Sequence, residues 1–556
     1  MNMTAAQVAV KILEEQGTKV IFGIPGGQTL FFNNALNESS IRFVATRHEG
    51  GAGHAADGWG RLTGKPGVCL ATTGPGATNM VTPLGGALRD STPVIAMLFQ
   101  NKLPDVGRGD AQDANHEAIF SSLVKAFIPV RHVGALPWAM REAYRIAMSG
   151  RPGPVVLDFY RDVIESLSIN CPYEPMDPAS YCTTPNALPA PAALAKAAQI
   201  LSAAKHVCIL SGNGVKMSKS GDKVLAIAER LSAPVVTSFN GIGSVPVDHD
   251  LVLGARSRHG STLTRAALEE ADCVFVLGSS LSAVGTNRWS LDLKNIVQID
   301  FDTKNLGRQY PVSCALAGEL SLTLDALASL IKVPDAALKK ERSTWLQQKK
   351  EARVVWREKI FSGPWNDEKA SPAAPVAVIR AIDGQVDPNG IICIDAGNPG
   401  CWSHLLTVKK GMSYMKPVNY GNMGFSVTAG LACSLAEPDR EVVSIVGDGS
   451  LGMSLAELET LARCGARQIV VVLNDSAFGN IRQEERYKFG GNVVYSGVDL
   501  SPVDYAGVAR LLGMGGETVT RAAQIPAAFA NARKHEGPYL IDVVFDGSFT
   551  IWPEAF

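Results

Sequence analysis

Asp448 lies inside the glycine turn Gly447-Asp448-Gly449-Ser450-Leu451-Gly452, with an apolar run at 442–446 before it and Leu455, Leu458, Leu461 and Ala462 at helical spacing after it. Glycines at a strand-to-helix turn let the backbone approach an anion, and the start of the helix supplies unpaired N–H groups. The same letters read as G-x-G-x-x-G, a dinucleotide fingerprint that is weak on its own. A carboxylate inside that turn argues against a bare pyrophosphate, because it repels phosphate unless a cation intervenes. The next apolar run, 469–473, ends in Asn474-Asp475, and residues 450–473 are filled by one helix and one strand. Asp448 and Asp475 are therefore expected at the C-terminal ends of neighbouring parallel strands, where open α/β sheets bind ligands. Two such carboxylates plus two phosphate oxygens suit Mg2+, a hard cation with oxygen ligands. The plain structural alternative is that Asp448 caps the helix and Asp475 caps a turn.

A second cluster lies in the first third. Arg47-His48-Glu49 follows the run 43–45 and opens a helix of very small residues from Gly50 to Gly58. Small residues admit a second backbone or subunit at close range. Glu49 either complements the helix dipole or is a carboxylate pressed into an interface, where desolvation favours proton transfer. Taken alone, it favours the first. Thr72-Thr73-Gly74-Pro75-Gly76-Ala77-Thr78-Asn79 is another small-residue turn after a strand, either a plain turn or a platform lining a ligand.

The elements that must position these groups repeat one grammar: a short β-branched run, a glycine-bearing turn, then a helical pattern. Runs at 20–23, 68–71 and 93–97 mark the first third, 207–210, 234–237, 273–277 and 296–299 the middle, and 391–394, 442–446 and 469–473 the last. Continuous apolar strands alternating with helices predict α/β domains with parallel sheets covered on both faces. Two stretches break the pattern. Residues 166–190 are rich in Pro, Ser, Asn and Thr and read as a linker; residues 333–370 are charged, carry Trp345 and Trp356, and read as a helical connector with a solvated face. The expected organisation is three domains, 1–165, 191–332 and 371–556. No short solenoid repeat is visible.

A chain of 556 residues is too long for one core, and a net charge of −1 implies no basic face, so nucleic acid and anionic membranes are not expected partners. The ten cysteines include no C-x-x-C pair, which argues against a zinc cage or dithiol site. Several lie in apolar runs, as core residues of a reducing, cytoplasmic compartment do. Thr4-Ala-Ala-Gln7 reads as a capping box opening an amphipathic helix, not as a secretory leader, and no apolar run is long enough to span a bilayer.

Five motifs occur in order: Arg47-His48-Glu49 with Ala55-Ala56-Asp57-Gly58, then Thr73-Gly74-Pro75-Gly76-Ala77-Thr78-Asn79, then Arg151-Pro152-Gly153-Pro154-Val155, then Asn422-Met423-Gly424-Phe425, and last Gly447-Asp448-Gly449 with Asn474-Asp475. Over nearly the whole chain this resembles the acetolactate synthase and pyruvate oxidase branch of thiamine-diphosphate enzymes. The resemblance implies a pyrimidine-binding, a central and a diphosphate-binding domain, and a homodimer or homotetramer with active sites between subunits. It implies that Glu49 protonates the aminopyrimidine ring, that Asp448, Asp475 and the Ala477 carbonyl hold the metal, that Met423 wedges the cofactor into a bent shape, and that the Gly421 carbonyl accepts from the pyrimidine amino group. It implies a place for Gln112 near the reacting carbon, with Gln28 and His116 on the same side. Thr73, Asn79, Gly397, Asn398, Gly447, Gly449, Ser450, Phe478 and Gly479 complete the cofactor-binding set it implies. For His116 the plainer reading is a polar loop rim.

The chain also departs from that pattern. Asp475 stands where many relatives carry asparagine, Glu484 falls where acetolactate synthases place a tryptophan, and Gly278-Ser279-Ser280-Leu281 offers no arginine after the run 274–277. The last two departures weaken branched-chain amino-acid synthesis and bound FAD. Pro399 is expected to interrupt the Gly397-Asn398 turn, leaving Asn398 as its polar candidate. Phe478, Arg482 and Glu484 could shape the substrate mouth, with Arg482 pairing either with an acceptor carboxylate or with Glu485. The expected function is a 2-oxo-acid carboligase or decarboxylase that takes small 2-oxo acids or aldehydes. The alternatives are a 2-hydroxy ketone or 2-hydroxyacyl-CoA lyase, a flavin-dependent 2-oxo-acid oxidase, a catalytically silent subunit and a dinucleotide-binding dehydrogenase.

Overall fold

A computed structural model describes residues 3–167, 169–182, 187–257, 260–490 and 496–549. Positions 168 and 183–186 of the expected linker, and 1–2, 491–495 and 550–556 of the expected outer domains, lie outside the described residues.

The apolar runs form three six-stranded parallel sheets. The first holds β1 (Val20–Gly23), β2 (Arg42–Ala45), β3 (Gly67–Thr72), β4 (Val94–Gln100), β5 (Ala126–Val130) and β6 (Pro154–Tyr160) in the order β2-β1-β3-β4-β6-β5. The second holds β7 (Val207–Ser211), β8 (Val235–Ser238), β9 (Val252–Arg256), β10 (Cys273–Leu277), β11 (Val297–Asp300) and β12 (Cys314–Ala317) in the order β12-β11-β10-β7-β8-β9. The third holds β13 (Ile391–Ile394), β14 (Ser413–Met415), β15 (Val442–Gly447), β16 (Gln468–Asn474), β17 (Gly515–Val519) and β18 (Tyr539–Val544) in the order β14-β13-β15-β16-β18-β17. The outer two sheets thus share one strand order. The middle one has the doubly wound order 3-2-1-4-5-6, whose switch point lies between β7 and β10. The inner strands β4, β6, β7, β10, β13 and β16 are buried along their whole length, as sheets covered by helices on both faces require.

The Thr4–Gln7 capping box is formed, and the helix Ala5–Glu15 buries Val8, Ile12 and Leu13. The small-residue helix Glu49–Thr63 packs on the helix Phe425–Ala436 of the third domain. A Cβ at Gly58 would lie 2.6 Å from the Ala429 Cα, so only glycine allows this approach. One apolar core is continuous across that contact, from Ala52 and Ala55 to Val427, Leu431 and Leu458. Asp90, buried, joins all three domains: it accepts from Arg61 Nη2 at 3.0 Å, the Val418 N–H at 2.9 Å and Asn240 Nδ2 at 3.3 Å.

The charged connector is a single helix, Ala336–Ser362, but less of it is solvated than its composition predicts. Arg342 is 1% exposed and donates to the carbonyls of Leu201, Ser202 and Ala204, the unpaired end of the helix Pro191–Ala203. Trp345 stacks on His206 at 4.9 Å. All ten cysteines are free thiols. Among the described residues no helix is long and apolar enough to cross a membrane.

Candidate active site

The register of β15 and β16 pairs Val446 with Val472 and Gly447 with Leu473, so the chain leaves both strands at the same end. This sets Asp448 and Asp475 side by side. Asp448 is 2% exposed and its Oδ2 accepts from the Ala477 N–H at 3.0 Å. Burial raises its pKa, and the N–H groups of Gly449 and Ala477 oppose that rise. Burial, and then the Asp448 charge, push Asp475 up to about 7. Two carboxylates this close raise each other's proton affinity and gain most from a shared cation.

The surroundings of the pair form a cradle. Asn398 Nδ2 lies 3.5 Å from Asp475 Oδ2. Gly397 before it adopts φ +77, and a Cβ there would meet nothing within 4 Å. Pro399 does not interrupt this turn, contrary to expectation. It sits in the first turn of the helix Asn398–Trp402, where a missing N–H costs nothing. A side chain at Gly479 would collide with Asp475 Oδ2 and Asn398 Nδ2. Phe478 packs on Gly449, and the 476–478 turn is braced by the Phe478 N–H to Val498 and the Leu500 N–H to Ser476, both at 2.8 Å. Ser450 is buried and hydrogen-bonded to Asp395. Among the described residues no group of three or more His, Cys, Asp or Glu could cage a metal. The two adjacent carboxylates of Asp448 and Asp475 are hard oxygen donors, which fit a cation that completes its shell with ligand oxygens, as Mg2+ on a diphosphate does.

Several supporting residues have no sequence signal of their own. Asp395, fully buried after β13, accepts from the N–H groups of Gly424 at 3.1 Å and Ser426 at 2.8 Å. It thereby fixes the loop that carries Gly421, exposed, and Met423, half-buried. Tyr505 Oη donates to the Asp448 carbonyl at 3.4 Å. Gly547 covers the other side of Asp475.

In the first domain Glu49 opens its helix and is 8% exposed; its Oε2 accepts from Asn79 Nδ2 at 2.8 Å. Thr73 is fully buried, with its hydroxyl on Gln100 Oε1 at 2.8 Å, so it supports the turn from behind. Gln28 is occupied at both ends, by Thr72 Oγ1 at 2.6 Å and Asn101 Oδ1 at 3.0 Å. Gln112 is exposed at φ +60. His116 is 1% exposed; its Nδ1 lies 2.8 Å from Asp158 Oδ1 and its Nε2 accepts from the Gly74 N–H at 3.3 Å. Of the three groups expected at the carbonyl, Gln112 alone is exposed, and His116 is an internal brace, not a loop rim. Arg482 pairs with Asp499, not Glu485, and Glu484 with Lys488 at 2.7 Å.

A further cavity of about 890 Å3 opens where the three domains meet, at the crevice between β7 and β10, with Lys216, Ser279, Asp300 and Arg151 among its lining residues. Its size and position suit a nucleotide-sized ligand.

Paired acids at the C-terminal ends of parallel strands, with a glycine cradle beside them, lie where open α/β sheets bind their ligands. Residues 3–119 match the thiamine pyrophosphate enzyme N-terminal TPP binding domain, 194–327 its central domain and 395–543 its C-terminal TPP binding domain. The probable acetolactate synthase large subunit of Methanocaldococcus jannaschii is 31% identical, covering 98% of this chain and 92% of its own length. The acetolactate synthase isozyme 1 large subunit of Escherichia coli K12 is 31% identical over 99% of this chain and 96% of its own, and the large subunit of Corynebacterium glutamicum 30% over 99% and 88%. The chain belongs to the thiamine pyrophosphate enzyme family, as an acetolactate-synthase-like member.

Proposed function

We propose that the protein is a Mg2+-dependent, thiamine-diphosphate-dependent carboligase and decarboxylase of 2-oxo acids, working in the cytoplasm as a dimer or tetramer. The observation that carries this reading is the Asp448–Asp475 pair, a buried and a half-buried carboxylate facing each other beside a glycine cradle. Asp448, Asp475 and the Ala477 carbonyl would hold the metal, and the backbone of Gly447, Gly449 and Gly397 would lie against the diphosphate. When bound, thiamine diphosphate supplies a nucleophilic carbon and an electron sink next to a carbonyl.

The chain's own task is positioning and proton handling. Asn79 orients the Glu49 carboxyl, which leaves Oε1 to share a proton with the aminopyrimidine ring. Asp395 fixes the loop whose Met423 would press against the cofactor and whose Gly421 carbonyl would accept from the ring amino group. Gln112, on the exposed rim, is the polar group free to meet a substrate carbonyl. Making and breaking C–C bonds is redox-neutral, so the reaction needs no flavin.

Exposed apolar residues flank the site loops: Leu30 after Gln28, Tyr420 before Gly421, Met453 in the Asp448 helix and Ile481 beyond Gly479. We read their position around the site loops as support for a site completed by a second copy. The test is a product screen by mass spectrometry with pyruvate, glyoxylate and small aldehydes, alone and in pairs, with thiamine diphosphate and Mg2+. We expect CO2 release with a 2-hydroxy carbonyl product. No product from any pair, together with no heat of cofactor binding, would overturn the reading.

A further inference from the structure

Next to the metal pair lies one amide that neither the motifs nor the proposed reaction uses. Gln483, on the helix Gly479–Phe489, is 2% exposed, and its Nε2 donates to Asn398 Oδ1 at 3.2 Å. Asn398 in turn faces Asp475 Oδ2 through its Nδ2 at 3.5 Å. An amide presents its NH2 and its carbonyl on opposite sides, so Asn398, with Nδ2 toward Asp475, turns its carbonyl to Gln483. Gln483 must then offer its own NH2 to Asn398, which leaves Gln483 Oε1 over. That oxygen is buried and has no hydrogen-bond partner among the described residues. A buried amide carbonyl without a donor is unfavourable and calls for one beyond the described residues. Mg2+ dehydrates reluctantly and brings water with it.

We propose, on the functional reading above, that Gln483 is a positioning residue of the metal–diphosphate site. It holds Asn398, and through Asn398 the Asp475 carboxylate, in the orientation that receives the cation. Its orphaned carbonyl takes a hydrogen bond from water that enters with the metal–diphosphate group.

The experiment is a Mg2+ titration at saturating thiamine diphosphate, followed by calorimetry, on wild type, Q483M, N398A and the double variant. Circular dichroism checks the fold, and Q483A replaces Q483M if the latter fails to fold. Outer-sphere partners of metal sites typically contribute 10- to 100-fold in affinity, so we expect Q483M to raise the half-saturating Mg2+ concentration by about 10-fold. In the N398A background Q483M should add little, because its effect runs through Asn398. With Mn2+ in place of Mg2+, the electron paramagnetic resonance spectrum of Q483M should differ from that of wild type, a change that loss of stability alone does not produce. Wild-type Mg2+ affinity in Q483M, or the same loss in both backgrounds, overturns the proposal and leaves the functional reading intact. A wild-type protein that binds neither Mg2+ nor thiamine diphosphate overturns both.

Discussion

The Glu457 carboxylate of the third domain accepts hydrogen bonds from the backbone N–H groups of Arg47, at 3.1 and 3.2 Å, and His48, at 3.0 Å, in the first domain. Glu457 is 1% exposed and begins the helix Glu457–Cys464, next in the chain after the Asp448 helix. The chain thus braces the segment immediately before Glu49 from the domain that carries the Asp448–Asp475 pair. In Glu457→Ala the two N–H groups lose their acceptor, which typically costs about 1–3 kcal/mol. We expect a matching fall in denaturant stability together with reduced turnover. Glu457→Gln keeps an acceptor oxygen and should recover part of both.

Glu49 itself should behave differently. Among the described residues its carboxyl is hydrogen-bonded by the Asn79 side chain, so Glu49→Gln keeps size and hydrogen bonding while removing the proton-transfer group. We expect Tm to stay near wild type and kcat to fall by about 100-fold or more. Near-normal turnover in both Glu49→Gln and Glu49→Ala would remove Glu49 from the reaction.

The apolar strands at the runs named above and the acid pair were readable for one reason: each is a local pattern, which β5, β6, β9, β12, β14, β17 and β18 do not show as clearly. Continuous β-branched runs announce buried parallel strands, and a strand-to-turn acid can be placed from the run before it. The shared strand order of the outer sheets is non-local and leaves no mark in spacing. The roles of Asp395, Glu457, Gln483 and Tyr505 depend on partners tens to hundreds of residues away. His116 misled for the same reason, since its brace, Asp158, lies on β6. Arg342 looked solvated within a charged run because its three carbonyl partners belong to the end of another helix.

The Asp448–Asp475 pair should cost stability when no cation is bound, since burial raises both groups and the Asp448 charge raises Asp475 further. Asp475→Asn removes one charge and keeps a metal-ligating oxygen. We expect its ligand-free Tm to equal or exceed wild type. Asp448→Ala should lose the thermal shift that thiamine diphosphate with Mg2+ produces, because stabilisation by a ligand tracks its affinity for the folded state. Adding EDTA to loaded wild type should return its Tm to the ligand-free value.

His54 gives the contact between the outer domains an acid limit. Its ring lies edge-on to Phe425 at 5.8 Å, and its Nδ1 is buried with no hydrogen-bond partner among the described residues. Burial, then the Arg61 charge and His48, push its pKa down to about 3 from 6.5. Between those values the unfolded chain binds a proton that the folded chain refuses, so stability rises with pH. The contribution is complete above pH 6.5 and is lost as pH falls toward 3, with a slope of at most about 1.4 kcal/mol per pH unit. Urea denaturation of His54→Phe from pH 7 to pH 4 should show a shallower fall than wild type.

A site shared between copies makes a further demand on the two acid clusters. Among the described residues no hydrogen bond or ion pair joins the Glu49–Asn79 cluster to the Asp448–Asp475–Asn398 cluster of the same chain. If Glu49 of one copy serves the metal pair of another, Glu49→Gln and Asp448→Asn chains are each inactive alone but complementary when mixed. In a mixed dimer one site collects both defects and the other collects both intact halves. Random exchange in a two-fold dimer makes half the dimers mixed, so about a quarter of wild-type activity should return. If both clusters of one site come from the same chain, every site in every mixture carries a defect and activity stays at the level of the single variants. Subunit exchange, verified by native mass spectrometry before the assay, separates these two outcomes directly.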